Sequence, residues 1–313
     1  MDNISLFARH SFASCVSKGY AFLAKQLLLV SKVMLPYFTI ASLLCVLSIA
    51  YNVKLNVAVV AQGMVSIEEV LSAMLLHTLA WLAAVVATAR MFLLFRRLTT
   101  VEIPKPEDVT ATKVAAWKRS LIRTMQLAWR SLPYTIWVLI LNMPGFPIVD
   151  PCMEFIGGLT MEYKTLVVCG LLLLAVIAVV LFSPFIYTFY CRMMKPTVID
   201  KGEVEKMRAF GFLAAYKKGF KHKGKIIMVT LWSLFLLLIA CAVILLPGIV
   251  ATEAYLSSVE GSINFGDKAL IPAWGYALVF TSGTIAMTFC CLLGVAFSAS
   301  LMYLFGDIYS KEK

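Results

Sequence analysis

Two long runs without a charged residue constrain this chain more than any other feature. Residues 226–246 contain no Asp, Glu, Lys or Arg, and neither do residues 269–306. Each run reaches or exceeds the roughly 20 residues with which a helix crosses a bilayer. Over all 313 residues only 14% are charged, whereas a soluble domain carries about 25%. The chain is therefore predicted to be a polytopic membrane protein and not a water-soluble enzyme.

Hydropathy predicts six transmembrane helices. They lie at residues 33–51, 70–95, 131–149, 166–190, 226–246 and 275–305. The expected fold is all-α, a single membrane domain over residues 1–313 in which the six spans form three helical hairpins. The alternative for the first span is a signal peptide cleaved near Ser48-Ile49-Ala50. That peptide would need an unusually long n-region, so a retained helix is favoured.

Lys and Arg are divided unevenly between the two sides of this topology. With Arg90 counted as a snorkelling residue, 25 of the 28 basic residues fall on the side of both termini, and the other side holds Lys54, Lys164 and Lys268. The acidic residues divide almost evenly, so the asymmetry follows the positive-inside rule. We expect a multi-pass protein of a bacterial cytoplasmic (inner) membrane with both termini in the cytoplasm. The net charge of +11 is explained by this topology, and no nucleic-acid partner is expected.

The order of elements repeats three times. In each of the pseudo-repeats 1–97, 98–195 and 196–313, a basic segment leads into a span, a loop and a second span. Pro144 and Pro247, each followed by glycine, close the first span of the second and third units. The first unit lacks this landmark, so it is either diverged or unrelated. A period of this kind predicts that one supersecondary unit is used repeatedly.

The basic segments, residues 9–32, 113–130 and 206–225, are predicted to be amphipathic helices on the cytoplasmic surface. In the second segment an apolar arc that includes Leu121, Met125 and Ala128 lies opposite the arginines on a helical wheel. In the first segment an arc of four apolar residues opposes a polar arc: Phe12, Val16, Tyr20 and Leu23 against His10, Ser14, Lys18 and Lys25. Such helices bury their apolar arc at the headgroup boundary.

Basic side chains of the second and third segments are the candidate ligands for anionic lipid headgroups. They are Arg119, Arg123, Arg130, Lys217, Lys218, Lys221, Lys223 and Lys225. The expected partners are anionic membrane lipids, together with a membrane-protein partner or a second copy of the chain. The alternative interpretation is that these segments are loops whose charges only set the topology.

The interior of the predicted spans contains few groups that could move an ion. His77 is the one ionisable residue near a midplane, and a hydrogen-bonded packing role is favoured over a proton relay. The third span is broken by Pro144, Gly145 and Pro147, which indicates either a binding region or a kinked packing helix. Small residues in the last span, among them Ser300, predict the close approach of another helix.

Neither catalytic nor metal-ligating residues form a recognisable pattern. The eight cysteines show no CxxC or Cys/His spacing, and only Cys152 falls in an outer loop. They are interpreted as small packing residues. The outer carboxylates, such as Glu68 and Glu69, are not accompanied by a histidine. No catalytic residue, cofactor or metal is therefore expected.

The polar junction before the fifth span resembles a known group. It reads Tyr-Lys-Lys-Gly-Phe-Lys-His-Lys-Gly-Lys at residues 216–225, after Pro184 and a Pro-Thr-Val-Ile-Asp stretch at 196–200. This pattern resembles a broad group of bacterial membrane proteins that includes the membrane domain accompanying some glycerophosphodiester phosphodiesterases. The resemblance is best over residues 165–250. It implies a helical membrane domain and no catalytic residue, because the sequence does not contain the soluble phosphodiesterase domain.

The favoured function is a non-enzymatic inner-membrane protein that engages anionic lipid and handles or senses lipid, or organises an envelope complex. The first alternative is a transporter or channel for a small or amphiphilic solute. The second is a membrane-embedded enzyme. A lipid-filled groove would favour the first hypothesis, a continuous polar cavity the second, and outer carboxylates around a pocket the third.

Overall fold

The described part of the chain is entirely helical. A computed structural model describes residues 10–62, 66–98, 113–141, 161–194, 211–265 and 273–310. The helices within these ranges are α1 (Phe12–Gln62), α2 (Ile67–Leu98), α3 (Lys113–Leu141), α4 (Met161–Met194), α5 (Phe212–Lys221), α6 (Lys223–Phe265) and α7 (Ala273–Ser310). The predicted all-α class is confirmed for these residues.

Four helices contain stretches long and apolar enough to cross a membrane. The stretches are Phe12–Val53, Ile67–Leu98, Lys223–Ala251 and Ala277–Tyr309. They coincide with the first, second, fifth and sixth predicted spans. A shorter apolar stretch, Val179–Met194, overlaps the fourth. The predicted break at Pro144, Gly145 and Pro147 lies outside the described residues. Within its described ranges, the chain is a multi-pass helical membrane protein.

The first basic segment is not a separate surface helix. From Phe12 onward it forms the first turns of α1, which runs on for 51 residues, about 75 Å at 1.5 Å per residue. Pro36 lies inside this helix without ending it, because a proline removes only one backbone hydrogen bond. The surface helix predicted for residues 9–32 is therefore wrong over its described part.

Protein covers most of the apolar arc of that segment, while Phe12 at its start is 40% exposed. Val16 and Leu23 are buried in the core. The hydroxyl of Tyr20 donates a hydrogen bond to the carbonyl oxygen of Ser233 in α6 at 3.3 Å. An amphipathic pattern predicts that one face is covered, but it does not say whether protein or lipid covers it.

The other two basic segments differ from each other. The second is the first part of α3, which continues without interruption into the predicted third span. Part of the third forms the separate ten-residue helix α5. This helix ends at His222, whose backbone N–H donates to the carbonyl oxygens of Gly219 and Phe220. Helix α6 begins at the next residue.

The hydrophobic core lies at one end of the bundle, which we call the packed half. Most of it comes from residues 15–41 of α1, 85–96 of α2, 183–194 of α4 and 292–308 of α7. Leu127 and Ala128 of α3, Ala215 of α5, and Ile226 and Val229 of α6 complete it. Phe92 lies at its centre with its ring 5.9, 5.4 and 5.1 Å from the rings of Phe95, Phe189 and Tyr190. Edge-to-face contacts of this kind are favourable beyond the burial of area alone.

Helices α1 and α7 approach each other very closely within this half. A Cβ atom on Gly19 would overlap the hydroxyl oxygen of Ser300 and would lie 2.6 Å from its backbone nitrogen. Ala296, Ala299 and Ser300 are fully buried. The close approach predicted from the small residues of the last span is confirmed here.

A second region, which we call the open half, consists of residues 66–84 of α2, 231–250 of α6 and 277–291 of α7. In the first of these stretches only Ala73 is buried, and in the second only Ser233. Large apolar side chains such as Leu238 and Val243 are 58% and 69% exposed. A helix that is apolar on all sides and not covered by protein is suited to contact with lipid chains.

Candidate functional site

Helix α3 presents three distinct sectors. One is buried against neighbouring helices and contains Thr124, Leu127, Ala128 and Ser131. The second is apolar and exposed, with Ile122 at 48%, Met125 at 49% and Trp129 at 74%. The third contains the half-buried predicted headgroup ligands Arg119, Arg123 and Arg130. An exposed apolar sector beside a basic sector is typical of a helix at the membrane–water boundary.

The orientation of α3 differs from the wheel prediction. The predicted apolar arc grouped Met125 with Ala128, but Met125 is exposed while Ala128 is buried in protein. The exposed apolar sector consequently lies beside the arginines and not opposite them. The wheel shows which residues share a face, but the contacts with α2 and α4 determine which face points inward.

Arg90 joins three helices, although the sequence predicted that it would snorkel. It donates a hydrogen bond to the hydroxyl of Ser120 on α3. Its guanidinium carbon lies 5.5 Å from the centre of the Tyr37 ring on α1. Trp81, also on α2, donates to the carbonyl oxygen of Thr135 at 3.0 Å. These contacts hold α3 against α2.

Arg130 is close to a second arginine, Arg192 of α4. The guanidinium carbon of Arg192 lies 5.9 Å from the centre of the Tyr134 ring, and Tyr134 follows Arg130 by about one helical turn. Burial, and after it the charge of Arg192, lower the pKa of Arg130. Arg192 was not among the candidates predicted from the sequence, although its position just after the fourth predicted span was a signal.

A shallow depression on the surface of α3 alone, which we call the groove, reaches Arg130. Its volume is about 640 Å³, and its lining consists of Leu121, Ile122, Met125, Gln126, Trp129 and Arg130. A second, smaller groove of about 410 Å³ lies between the start of α1 and α6, and it is lined by Phe12, Met228, Leu231, Trp232 and Phe235. The first groove combines apolar side chains with a cation.

The lysines of the third basic segment lie in different environments. Lys217 and Lys221 are exposed on α5. Lys218 lies 5.1 Å from the ring centre of Tyr309, and Lys223 lies 4.2 Å from that of Phe220. Cation–π contacts hold these two side chains close to the protein surface.

Helix α5 is packed against α4. A Cβ atom on Gly219 would lie 3.1 Å from the backbone of Pro184. The hydroxyl of Tyr216 donates to the carbonyl oxygen of Leu181 at 3.0 Å. Because this face is fixed, the opposite face of α5 presents Leu213, which is 66% exposed, together with its lysines.

Lys225, another predicted headgroup ligand, contacts other parts of the protein. Its Nζ atom lies 2.6 Å from Oδ2 of Asp307, whose side chain is fully buried. It also donates to the backbone carbonyl of His10. The backbone N–H of His10 in turn donates to Oδ1 of Asp307 at 2.7 Å. These contacts join the start of α6, the end of α7 and the residues that precede α1.

The side chain of His10 completes this group, and we call His10, Lys18, Lys225, Tyr303 and Asp307 the His10–Asp307 cluster. Nζ of Lys18 lies 3.2 Å from Nδ1 of His10, and the imidazole meets the Tyr303 ring edge-on at 5.7 Å. Nε2 of His10 is buried and has no hydrogen-bond partner among the described residues. Burial and the Lys18 charge lower the pKa of His10, and Asp307 opposes them.

Other sequence candidates do not form a site in the described residues. His77 is half-buried and has no hydrogen bond to another described residue. No disulfide joins the six described cysteines, which are Cys15, Cys45, Cys191, Cys241, Cys290 and Cys291. Cys291 lies 3.8 Å from the hydroxyl of Ser42. Over the described ranges, no group of three His, Cys, Asp or Glu side chains could hold a metal ion.

Comparison with known proteins identifies no relative. No protein-family model, curated protein or solved structure matches the chain. The resemblance to the membrane domain that accompanies some glycerophosphodiester phosphodiesterases therefore stays a prediction.

Proposed function

We propose that this chain is a non-enzymatic protein of a bacterial cytoplasmic membrane that engages anionic phospholipids and handles or senses lipid, or organises an envelope complex. In this proposal it has six spans and both termini in the cytoplasm. The arrangement of α3 carries the proposal. Its exposed apolar sector can enter the acyl region while the neighbouring arginines meet lipid phosphates.

Helix α5 supports the same proposal. Leu213 and Phe220 are 66% and 39% exposed, and the exposed Lys217 and Lys221 lie on the same short helix. Helices α3 and α5 both pack against α4. The protein would thus contact the anionic leaflet through two amphipathic elements attached to one scaffold helix.

The electrostatic attraction between these basic side chains and an anionic leaflet can be expressed per charge. Each cation near an anionic leaflet contributes about 1 kcal/mol, and the interaction falls off within a Debye length. Salt should therefore weaken it, since the Debye length shrinks from about 10 Å at 0.1 M to about 3 Å at 1 M.

Retention of phosphatidylglycerol over phosphatidylcholine tests the proposal. The protein is reconstituted in nanodiscs with both lipids and then extracted, and its retained lipids are quantified by mass spectrometry. Arg119→Gln/Arg123→Gln and Lys217→Gln/Lys221→Gln should each weaken the preference by about 2 kcal/mol, the sum for two charges.

The matched control is Lys25→Gln/Lys32→Gln, which removes two exposed lysines of α1. It should retain most of the preference. Equal retention of both lipids by the unmodified protein at all salt concentrations would refute the proposal. Gradient-driven solute uptake that His77→Ala abolishes would favour the transporter hypothesis instead.

A further inference from the structure

Two arginines from different helices lie near the same end of the apolar groove on α3, and this arrangement fits one specific ligand. We propose that Arg130 and Arg192 together bind the phosphate of a single anionic phospholipid, one acyl chain of which lies in the groove along α3. This inference rests on the proposed function. It adds a defined binding site, and it adds Arg192, to a general attraction for the anionic leaflet.

The geometry places Arg192 over Tyr134, about one helical turn beyond the end of the groove at Arg130. Its guanidinium carbon is 5.9 Å from the centre of the Tyr134 ring. The Tyr134 ring is itself 5.4 Å from the ring of Phe189 on α4. Tyr134 and Arg130 lie on the same face of α3, because residues four positions apart are neighbours on a helix. Arg192 is therefore held over the part of α3 that carries Arg130.

Charge complementarity identifies the headgroup. Burial, and after it the charge of the neighbouring Arg192, lower the pKa of Arg130, so the two guanidinium groups are close enough to share one anion. A phosphate between them would accept charge-assisted hydrogen bonds from both. Guanidinium groups offer planar pairs of N–H donors that match phosphate oxygens.

The groove identifies the rest of the ligand. Met125 and Trp129, which line it, are 49% and 74% exposed. A soluble anion such as inorganic phosphate would leave this apolar surface uncovered, whereas an acyl chain covers it. Tryptophan is also enriched at the depth of lipid headgroups. The site therefore requires a phosphate joined to a hydrocarbon chain.

Native mass spectrometry of the full chain with phosphatidylglycerol tests the site. The unmodified protein should retain one phosphatidylglycerol through delipidation steps that remove phosphatidylcholine. Arg130→Gln and Arg192→Gln should each weaken this binding at least tenfold. Arg119→Gln removes the same charge from α3 about 16 Å away along the helix; it should weaken binding by no more than about fivefold, the share of one surface charge in the general attraction. Lys25→Gln, at an exposed position of α1, is the control and should weaken binding less than twofold.

The apolar part of the site is tested separately. Trp129→Ala should weaken phosphatidylglycerol binding several-fold, whereas Trp232→Ala, which removes a 51% exposed tryptophan from α6, should not. Arg192 is exposed, so Arg192→Gln is expected to fold, and its thermal unfolding should match that of the unmodified protein.

Three results would overturn the site. Equal losses in Arg119→Gln and Arg130→Gln would show a diffuse attraction, which leaves the proposed function standing without this site. Full displacement of the lipid by inorganic phosphate at matched concentration would show that the groove contributes nothing. Unchanged binding in Arg192→Gln would show that Arg192 is not a ligand.

Discussion

The packed half and the open half of this molecule are built from similar amino acids but meet different surroundings. Phe92 in the packed half is 1% exposed, whereas Phe235 at the open part of α6 is 53% exposed. Lipid tails are as apolar as these side chains, so nothing drives the open half to close. Lipid chains can cover the apolar surface of the open half. The specific arrangement of the helices therefore depends on the packed half.

Removal of one phenylalanine ring from each half should give the largest difference in the free energy of unfolding between the two halves. Phe92→Ala should lower the free energy of unfolding by about 3–5 kcal/mol, because it empties a closely packed site. Phe235→Ala should lower it by less than about 1 kcal/mol, because that ring meets lipid or detergent. Thermal unfolding of the purified variants measures both. An equally large loss for Phe235→Ala would mean that a partner or a second copy covers the open half.

The buried ion pair should produce the next largest effect. Asp307→Asn leaves the Lys225 ammonium without its counter-charge, and breaking a buried pair costs about 3–5 kcal/mol. Because the Lys225 side chain is 19% exposed, water should reduce this to about 2–3 kcal/mol.

A double variant sharpens this prediction. Asp307→Asn/Lys225→Met should recover most of the lost stability, since apolar replacement of a whole pair is often nearly neutral. Glu68→Gln, at an exposed position of the open half, should have little effect. A double variant as unstable as Asp307→Asn would show that the carboxylate stabilises the fold mainly through the His10 backbone.

The smallest expected effect is a dependence of stability on pH, and its source is His10 in the packed half. The pKa of His10 is lowered from 6.5 in the folded protein, so the unfolded chain binds a proton that the folded protein does not. Stability should be fully present above pH 6.5 and should fall as the pH drops below it.

Unfolding midpoints between pH 5 and 8 measure this dependence. His10→Asn should flatten the slope in that interval, while substitutions in the open half should not. An equal pH dependence of stability in the unmodified protein and in His10→Asn would show that His10 is not its cause.

The sequence predicted the features that depend on local composition. The helical class, four of the spans and the close packing around Ser300 all follow from hydropathy and residue size. The surroundings of α1 could not be predicted, because protein and lipid cover an apolar arc equally well. Lys225 was predicted to be a lipid headgroup ligand, and Asp307 was not identified as its partner, since their pairing depends on contacts between residues 82 positions apart. Arg192 was overlooked for the same reason.

The pairing of α1 with α7 sets an order of events during synthesis. The hydroxyl of Ser300 donates a hydrogen bond to the carbonyl oxygen of Val16, 284 positions earlier. At 5–20 residues per second, a ribosome needs about 15–60 s to make the intervening chain. Throughout that interval α1 lacks its principal neighbour, so contacts with α7 arrive too late to guide its insertion. Its orientation across the bilayer must therefore be established by α1 and the residues that flank it.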